Sequence, residues 1–146
     1  MTLRKRFGLA CLTTAMSTLA IAEQAQQLEL MQGWIRVGPP SQTMTAGYGD
    51  LRNTGLEPIT LVAARTPIAR STELHTMSVN AEGMMSMQEM SELVIAPGEV
   101  VQFAPRGKHF MLIGLVGPVE AGRQYPIEIH FSDGSSTTLG FTARGL

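Results

Sequence analysis

Short apolar runs, broken by turn residues at regular intervals, are the feature that most restricts the fold of this chain. After position 22, Gly, Pro, Asn or Asp interrupt the sequence roughly every eight to twelve residues, with alternating side chains between them. This alternation indicates half-buried strands, and no window keeps a helical period for three turns. The predicted strands are Leu28–Val37, Thr45–Asn53, Ile59–Arg65, Ser71–Val79, Met84–Met90, Leu93–Ile95, Val100–Ala104, His109–Leu115, Tyr125–Phe131 and Ser136–Thr142.

Two turns predict how some of these strands pair. Asp133-Gly134 follows the alternating residues Ile127, Ile129 and Phe131 and is a strong hairpin signal. A turn at Asn80–Gly83 would fold the next strand back onto the one before it. Many short strands at even spacing favour an all-β fold, and we expect a single-domain antiparallel Greek-key β-sandwich or barrel.

The first 22 residues have the three parts of a secretory signal peptide. A basic segment, Arg4–Arg6, precedes an uncharged apolar run that ends in the small residues of Ala20–Ala22. We expect residues 1–22 to be cleaved and residues 23–146 to form the mature domain, exported to the periplasm. An uncleaved membrane anchor is the alternative, but the run is shorter than the ~20 residues of a spanning helix.

The only cysteine, Cys11, lies inside this leader. A lipoprotein would be acylated there, but Gly8 stands where a lipobox usually has Leu. Cleavage after Ala22 would leave no cysteine, which excludes disulfides and thiolate sites from the mature protein. The mature chain has eight Lys/Arg against twelve Asp/Glu, a formal charge of −4, and no basic stretch. We therefore expect no nucleic-acid partner. No further apolar segment is long enough to span a membrane, so we also expect no stable membrane insertion after cleavage.

Methionine and histidine are concentrated in one part of the chain. Of the eight methionines beyond the leader, six lie between His75 and Met111. His75 and Met77 are two residues apart, as are His109 and Met111, so each pair projects from one face of a strand. Two such segments, joined by a methionine from Met84–Met90, would form a compact site with nitrogen and sulfur donors.

The chemistry that suits these donors is narrow. A thioether is neutral and soft, so it favours Cu(I) over Ca²⁺ or Mg²⁺. Imidazole accepts Cu(I), Cu(II) and Zn²⁺, but zinc seldom takes thioether ligands. The pattern thus favours a soft-metal site, whereas each residue taken alone is better explained as a structural histidine or a core methionine.

The spacing resembles the signature of the periplasmic copper chaperones of the PCuAC type. That signature is His, an optional Met, ten residues, Met, twenty-one residues, and His-x-Met. Here ten residues, 77–86, separate Thr76 from Met87, and twenty-one residues, 88–108, separate Met87 from His109-Phe110-Met111. The segments Glu73-Leu74-His75 and Gly83-Met84-Met85-Ser86-Met87 are also similar to the family, and the resemblance runs from about Trp34 to Phe141.

The resemblance implies a cupredoxin-like fold and one Cu(I) per chain, bound by His75, Met87, His109 and Met111. It also implies delivery of copper to an accepting protein, typically a subunit or assembly factor of cytochrome c oxidase with its dinuclear copper centre. Thr76 replaces the optional methionine, and whether Met77, Met85 or Met44 assists stays open. Some members of the family carry a His/Met-rich tail for a second copper; the sequence up to Leu146 includes none, so we do not expect a second copper or Cu(II) site.

Other functions remain as alternatives. Periplasmic copper storage or detoxification would use the same site. A blue-copper electron carrier needs a cysteine thiolate, which the mature chain lacks. A copper enzyme would cycle its metal, whereas two thioethers favour holding Cu(I), so we expect no enzymatic activity. A metal-free interaction module with a methionine-rich core predicts that Met87 and Met111 are buried. We expect His130 to face away from the core and Trp34 to be a core or edge aromatic.

Overall fold

Ten strands form where apolar and polar side chains alternate between turn residues. The computed structural model describes residues 23–145, so the predicted leader lies outside the described residues. Over this range no helix has the length and apolar character needed to cross a membrane. A 3-10 turn (Gln24–Gln27) precedes β1 (Leu28–Arg36), β2 (Met44–Asn53), β3 (Ile59–Arg65), β4 (Ala69–Val79), β5 (Met85–Glu89), β6 (Leu93–Ile95), β7 (Val100–Phe103), β8 (His109–Leu115), β9 (Gln124–Phe131) and β10 (Ser136–Arg144).

The strands join side by side into a closed ring. The order of neighbours is β4, β8, β2, β1, β10, β9 and β3, and β3 pairs again with β4 through Ala64 and Thr72. The short strands β5, β6 and β7 attach to β4, β3 and β2. The predicted all-β sandwich or barrel is therefore confirmed, and closure leaves few strand edges free for unwanted pairing.

One strand pair departs from the predicted antiparallel arrangement. β1 and β10 run parallel, with Trp34 opposite Thr142 and Arg36 opposite Arg144. The sheet is therefore mixed, and the prediction of a wholly antiparallel sheet does not hold at this pair. Parallel neighbours need a long connection, and here most of the described chain lies between the two strands. Local turn signals carry no information about such a distant pairing.

Both hairpins that the turn residues predict are present. β9 and β10 pair across Asp133-Gly134, and Gly134 has a φ of 84°, a conformation that favours glycine. β4 and β5 pair across the Asn80–Gly83 turn, which places Met77 opposite Met87. This second hairpin brings part of the methionine-rich segment beside β4.

Alternation along β4 and β8 decides which side chains reach the core. Phe110 and Leu112 of β8 are fully buried, and Leu74 of β4 packs with them in the hydrophobic core. Side chains at intervening positions must project from the opposite face of the sheet. His75, His109 and Met111 occupy such positions, so the core residues between them hold the candidate ligands on the outer face.

Candidate metal site

The pairing of β4 with β8 brings the two candidate histidines together. His75 lies directly opposite His109 in the antiparallel register. Their ring centroids are 5.5 Å apart and the rings meet edge to face at 66°. Histidines that are 34 positions apart in the sequence therefore form one cluster on the outer face of the sheet.

The two candidate methionines flank this histidine pair. Met111 follows His109 by two residues on β8. Met87, on β5, lies opposite Met77 of β4. Because Glu89 is the direct partner of His75, Met87 is a diagonal neighbour of that histidine. Diagonal neighbours are ~7–8 Å apart, within reach of long side chains. The structure thus places all four residues predicted from the sequence on one patch.

Burial differs strongly among the four side chains. His109 is 5% exposed, whereas Met87 is 47% exposed. Met111 is half-buried, and the side chain of His75 is 12% exposed. None of the eight methionines in the described range is buried, contrary to what a methionine-rich core predicts. Of the two candidate methionines, Met87 therefore lies at the surface of the domain, where a soft metal ion could reach it, and Met111 is partly covered.

Hydrogen bonds hold one nitrogen of each histidine and leave the other available. His75 Nε2 is 2.8 Å from Glu73 Oε2, and His109 Nδ1 is 3.1 Å from the carbonyl oxygen of Gly107. The remaining nitrogen of His75, Nδ1, is buried and has no hydrogen-bond partner among the described residues. An unpartnered buried polar atom costs about 1–3 kcal/mol. A metal ion bound at Nδ1 would remove this free-energy penalty. The two histidines are therefore chemically suited to binding a metal ion.

The environment of His109 favours its neutral, metal-binding form. Burial lowers the pKa of His109 below its usual value of 6.5, the Gly107 carbonyl opposes this effect, and His75 lowers the pKa further. On its other side, the Tyr48 ring lies 6.3 Å from the His109 ring and 4.6 Å from that of Trp34. Burial raises the pKa of Tyr48, although Arg36 acts in the opposite direction.

Two residues that contribute to the patch, Glu73 and Tyr48, were not proposed as site residues from the sequence, although Glu73 lies in a segment that resembles the family. Glu73 precedes His75 by two residues, so strand periodicity alone could have placed both on one face. Tyr48 has no such signal, because it reaches His109 only through the pairing of β2 with β8. Trp34 is 8% exposed and packs on Tyr48, in agreement with its predicted role as a core or edge aromatic.

The other residues considered in the sequence lie around or away from the patch. Met77 is half-buried opposite Met87, and Met85 is exposed opposite Val79. Met44 and Met111 both line a groove of about 630 Å³ beside the patch. His130 projects from β9 on the face opposite Ile129, as predicted, with Nε2 3.4 Å from Glu128 Oε2.

Harder donors do not form a site of their own. Within residues 23–145, no three His, Cys, Asp or Glu side chains come together in a way that could hold a metal ion. Zinc sites in proteins are usually completed by a third or fourth ligand of these types.

The fold and this patch define a class of protein, an all-β cupredoxin-like domain with histidines and methionines clustered on one face. The chain belongs to the LpqE-like family, which is of the PCuAC type; the family model, "Putative lipoprotein LpqE-like", matches residues 28–143. This chain is also 36% identical over 118 residues to "Putative lipoprotein Lxx21020" of Leifsonia xyli subsp. xyli. That match covers 80% of this chain and 69% of the relative.

Solved structures show the same fold. The apo PCuAC domain from PmoF1 matches with a TM-score of 0.70 at 18% identity, over 85% of this chain and 98% of that domain. The solution structure of CuI-DR1885 from Deinococcus radiodurans matches with a TM-score of 0.64 at 33% identity, over 82% of this chain and 81% of that one. The predicted membership of the PCuAC type and the cupredoxin-like fold are thus confirmed.

Proposed function

We propose that this chain is an exported copper carrier that binds one Cu(I) through His75, Met87, His109 and Met111. The register of β4 and β8 carries the proposal, because it sets the two histidines opposite each other with thioethers on the same face. The relative DR1885, 33% identical, has a solution structure described as its CuI form. This relationship supports copper as the metal.

The donor set favours Cu(I) over other metal ions. Two imidazoles and two thioethers are all neutral, so the bound ion keeps its full charge. Burying a single positive charge costs less free energy than burying a double one, which favours a monocation over a dication. Thioether sulfur prefers soft Cu(I), whereas Zn²⁺ and Cu(II) prefer nitrogen, oxygen or thiolate donors. Two imidazoles and two thioethers favour holding Cu(I) over cycling it between oxidation states, so the proposed site is suited to carrying the metal rather than to redox turnover.

The exposure of Met87 supports delivery as the role. A carrier must release its metal, and ligand exchange is easiest at a neutral ligand that solvent and a partner can reach. Met87 is 47% exposed on the edge strand β5, whereas His109 is nearly inaccessible. We propose that an acceptor first displaces Met87 and takes the histidines last. The acceptor proposed is a subunit or assembly factor of cytochrome c oxidase, with the dinuclear copper centre as destination.

Export rests on the leader and on the named relative. Residues 1–22 have the pattern of a signal peptide, and the Leifsonia relative is named as a lipoprotein. We propose cleavage after Ala22 and a periplasmic location for residues 23–146. Intact-mass measurement of the exported protein tests this: a mature chain starting at Glu23 supports it, and a lipid-modified Cys11 at the N-terminus contradicts it.

Anaerobic titration with Cu(I) against a chromophoric competitor tests the binding site. We expect one equivalent to bind to the wild-type protein and none to bind tightly to H75N/M87L/H109N/M111L. The circular dichroism of this variant must match that of the wild type, so that lost binding is not lost folding. Equal weak binding by the two proteins would show that the patch is not a copper site.

Delivery needs a separate test, because a storage or detoxification protein would bind copper equally well. The Cu(I)-loaded protein is mixed with an isotopically labelled, copper-free acceptor domain of cytochrome c oxidase and followed by NMR. Shifts of the acceptor's ligand resonances to their copper-bound positions support delivery. Retention of copper by this chain, with the acceptor spectrum unchanged, would favour storage.

A further inference from the structure

We infer that Glu73 is a positioning residue that holds His75 in its Nε2–H tautomer and so selects Nδ1 as the nitrogen that binds copper. This inference rests on the proposed Cu(I) site and adds to it a residue outside the four predicted ligands. Glu73 lies two positions before His75 on β4 and directly opposite Met111 on β8. It therefore borders both a nitrogen and a sulfur donor of the patch.

The hydrogen bond from His75 to Glu73 determines where the imidazole proton lies. Glu73 Oε2 is 2.8 Å from His75 Nε2, and an ionised carboxylate can only accept hydrogen bonds. Nε2 must then carry the hydrogen, and the neutral ring has its free electron pair on Nδ1. That atom is the buried nitrogen without a partner in the described structure. The hydrogen bond to Glu73 thus places the proton on Nε2, and the nitrogen that this leaves with a free electron pair is the same Nδ1 that has no partner.

The carboxylate is itself oriented by its own strand. Ser71 donates its hydroxyl to Glu73 Oε1 at 3.4 Å, while Oε2 accepts from His75. Ser71, Glu73 and His75 alternate along β4 and share its outer face. The row thus forms a chain of hydrogen bonds that ends at the proposed metal ligand. Carboxylates that accept from a ligating histidine fix its ring and raise its basicity.

The second histidine is oriented in a different way. His109 places Nδ1 3.1 Å from the Gly107 carbonyl, an oxygen that can only accept, so Nδ1 carries the hydrogen. His109 therefore presents Nε2, whereas His75 presents Nδ1. A side-chain substitution cannot remove the main-chain carbonyl that accepts from His109, but it can remove the Glu73 carboxylate that accepts from His75. Substitution of Glu73 should consequently disturb one histidine and leave the other unchanged.

Glu89 provides a matched control for the charge of Glu73. It lies directly opposite His75 on β5, yet it is exposed and makes no hydrogen bond to that ring in the described structure. Glu89→Gln removes one negative charge near His75 without altering the hydrogen bond. Glu73→Gln removes the same charge and weakens the acceptor, and Glu73→Ala removes the acceptor entirely.

The tautomer is read directly from the copper-free protein. Long-range ¹⁵N–¹H correlation spectra of histidine-labelled protein, at about pH 8 where histidine is ordinarily neutral, distinguish the two ring forms. We expect the Nε2–H form for His75 in the wild type and in E89Q, a mixture of forms in E73A, and the Nδ1–H form for His109 throughout. An Nδ1–H form of His75 in the wild type, or no change in E73A, would overturn the inference.

Copper affinity separates this inference from the proposed function. In competition titrations we expect E73A to bind Cu(I) about 10–100-fold more weakly than the wild type, with E73Q between them and E89Q within about twofold. Thermal melting of the copper-free variants establishes that each is folded. One equivalent bound by all variants with equal affinity would refute the role of Glu73 and leave the copper site standing. No binding by the wild type would refute the proposed function, whatever the tautomer.

Discussion

At the scale of single residues, the four proposed ligands divide into an anchored pair and an exposed pair. The histidines are largely buried and hydrogen-bonded, which fixes their rings before a metal arrives. Met87 is about half exposed, and Met111 is partly covered. In the proposed site, the fixed imidazoles would form a prearranged pair of nitrogen donors, and the flexible thioethers would complete the coordination of the metal. The contribution of the thioethers to the Cu(I) affinity can therefore be tested without disturbing the fold.

Replacement of either methionine by leucine should weaken Cu(I) binding without loss of stability. Leucine is similar in size but has no donor atom, so we expect M87L and M111L each to lower the affinity by about tenfold or more, equivalent to ~1.4 kcal/mol. M90L is the matched control, because Met90 packs against the hydrophobic core. Competition titration measures the affinity, and an equal loss in M90L would contradict the assignment.

The stability of the copper-free protein should decrease in mild acid because of His109. Burial holds the pKa of His109 below its usual value of 6.5, so the unfolded chain binds this proton more readily than the native one. The contribution of His109 to the free energy of unfolding should then be constant well above pH 6.5 and decrease as the pH drops toward the native pKa.

Urea unfolding of the wild type and H109Q across this pH range measures the effect. The stability advantage of the wild type over H109Q should shrink as the pH falls below 6.5, because the variant lacks the titrating group. A difference that stays constant with pH would show that His109 has no such linkage.

At the scale of elements, the strand that carries Met87 is the least supported part of the site. All five residues of β5 are exposed, and within residues 23–145 β5 pairs with β4 alone. The Asn80–Gly83 turn sets its register: Asn80 Oδ1 accepts hydrogen bonds from the main-chain N–H groups of Glu82 and Met84 at 3.1 and 2.8 Å. Gly83 completes the turn with a φ of 79°.

Gly83→Ala should loosen β5 and weaken the site. A Cβ at Gly83 meets open space, so the penalty is the left-handed backbone alone, about 1 kcal/mol. We expect hydrogen exchange of the β5 amides to rise about fivefold and the Cu(I) affinity to fall by a similar factor.

Gly134→Ala is the matched control for this change. Gly134 has a φ of 84° and equally open surroundings, but it lies in the β9–β10 hairpin outside the patch. We expect this variant to lower the free energy of unfolding by about 1 kcal/mol and to leave the copper affinity unchanged. If both variants changed copper affinity alike, the link from the β5 turn to Met87 would be rejected.

At the scale of the whole molecule, the closed ring of strands is the scaffold and the patch lies across part of it. The proposed ligands come from β4, β5 and β8, and the supporting aromatics come from β2 and β1. Fully buried side chains such as Phe110 and Leu112 hold β8 in place beneath the ligands. A bound metal would join strands that are otherwise linked by main-chain hydrogen bonds and packing.

Cu(I) should therefore stabilise the folded protein. Free Cu(I) at a hundredfold excess over the dissociation constant should raise the free energy of unfolding by about 2.7 kcal/mol, because the unfolded chain lacks the assembled site. Anaerobic thermal or urea unfolding, with Zn²⁺ at the same concentration as a control, measures the gain. A similar rise with H75N/M87L/H109N/M111L would show that the copper acts elsewhere.

Much of the fold could be predicted because its determinants are local. The bounds of β3, β6 and β8 agree with the predicted strands. β5 is one residue shorter than predicted at each end, and the other strands differ by one or two residues at one end. Side-chain alternation and turn residues act over a few positions, so they are legible in the sequence. The local pattern of histidines and methionines indicated a soft-metal site, and the set of four proposed ligands followed from the resemblance of their spacing to the PCuAC signature.

Only the tertiary structure decided how distant segments meet. The parallel pairing of β1 with β10 and the bulge between Met31 and Trp34 depend on closing the ring, for which no local pattern codes. No local pattern predicts the contact of Tyr48 with His109, nor the burial of His75 Nδ1 without a hydrogen-bond partner in the described structure. The sequence by itself determined the strands and the donor types. Packing determined burial, register and hydrogen-bond partners, because these depend on contacts between residues far apart in the chain.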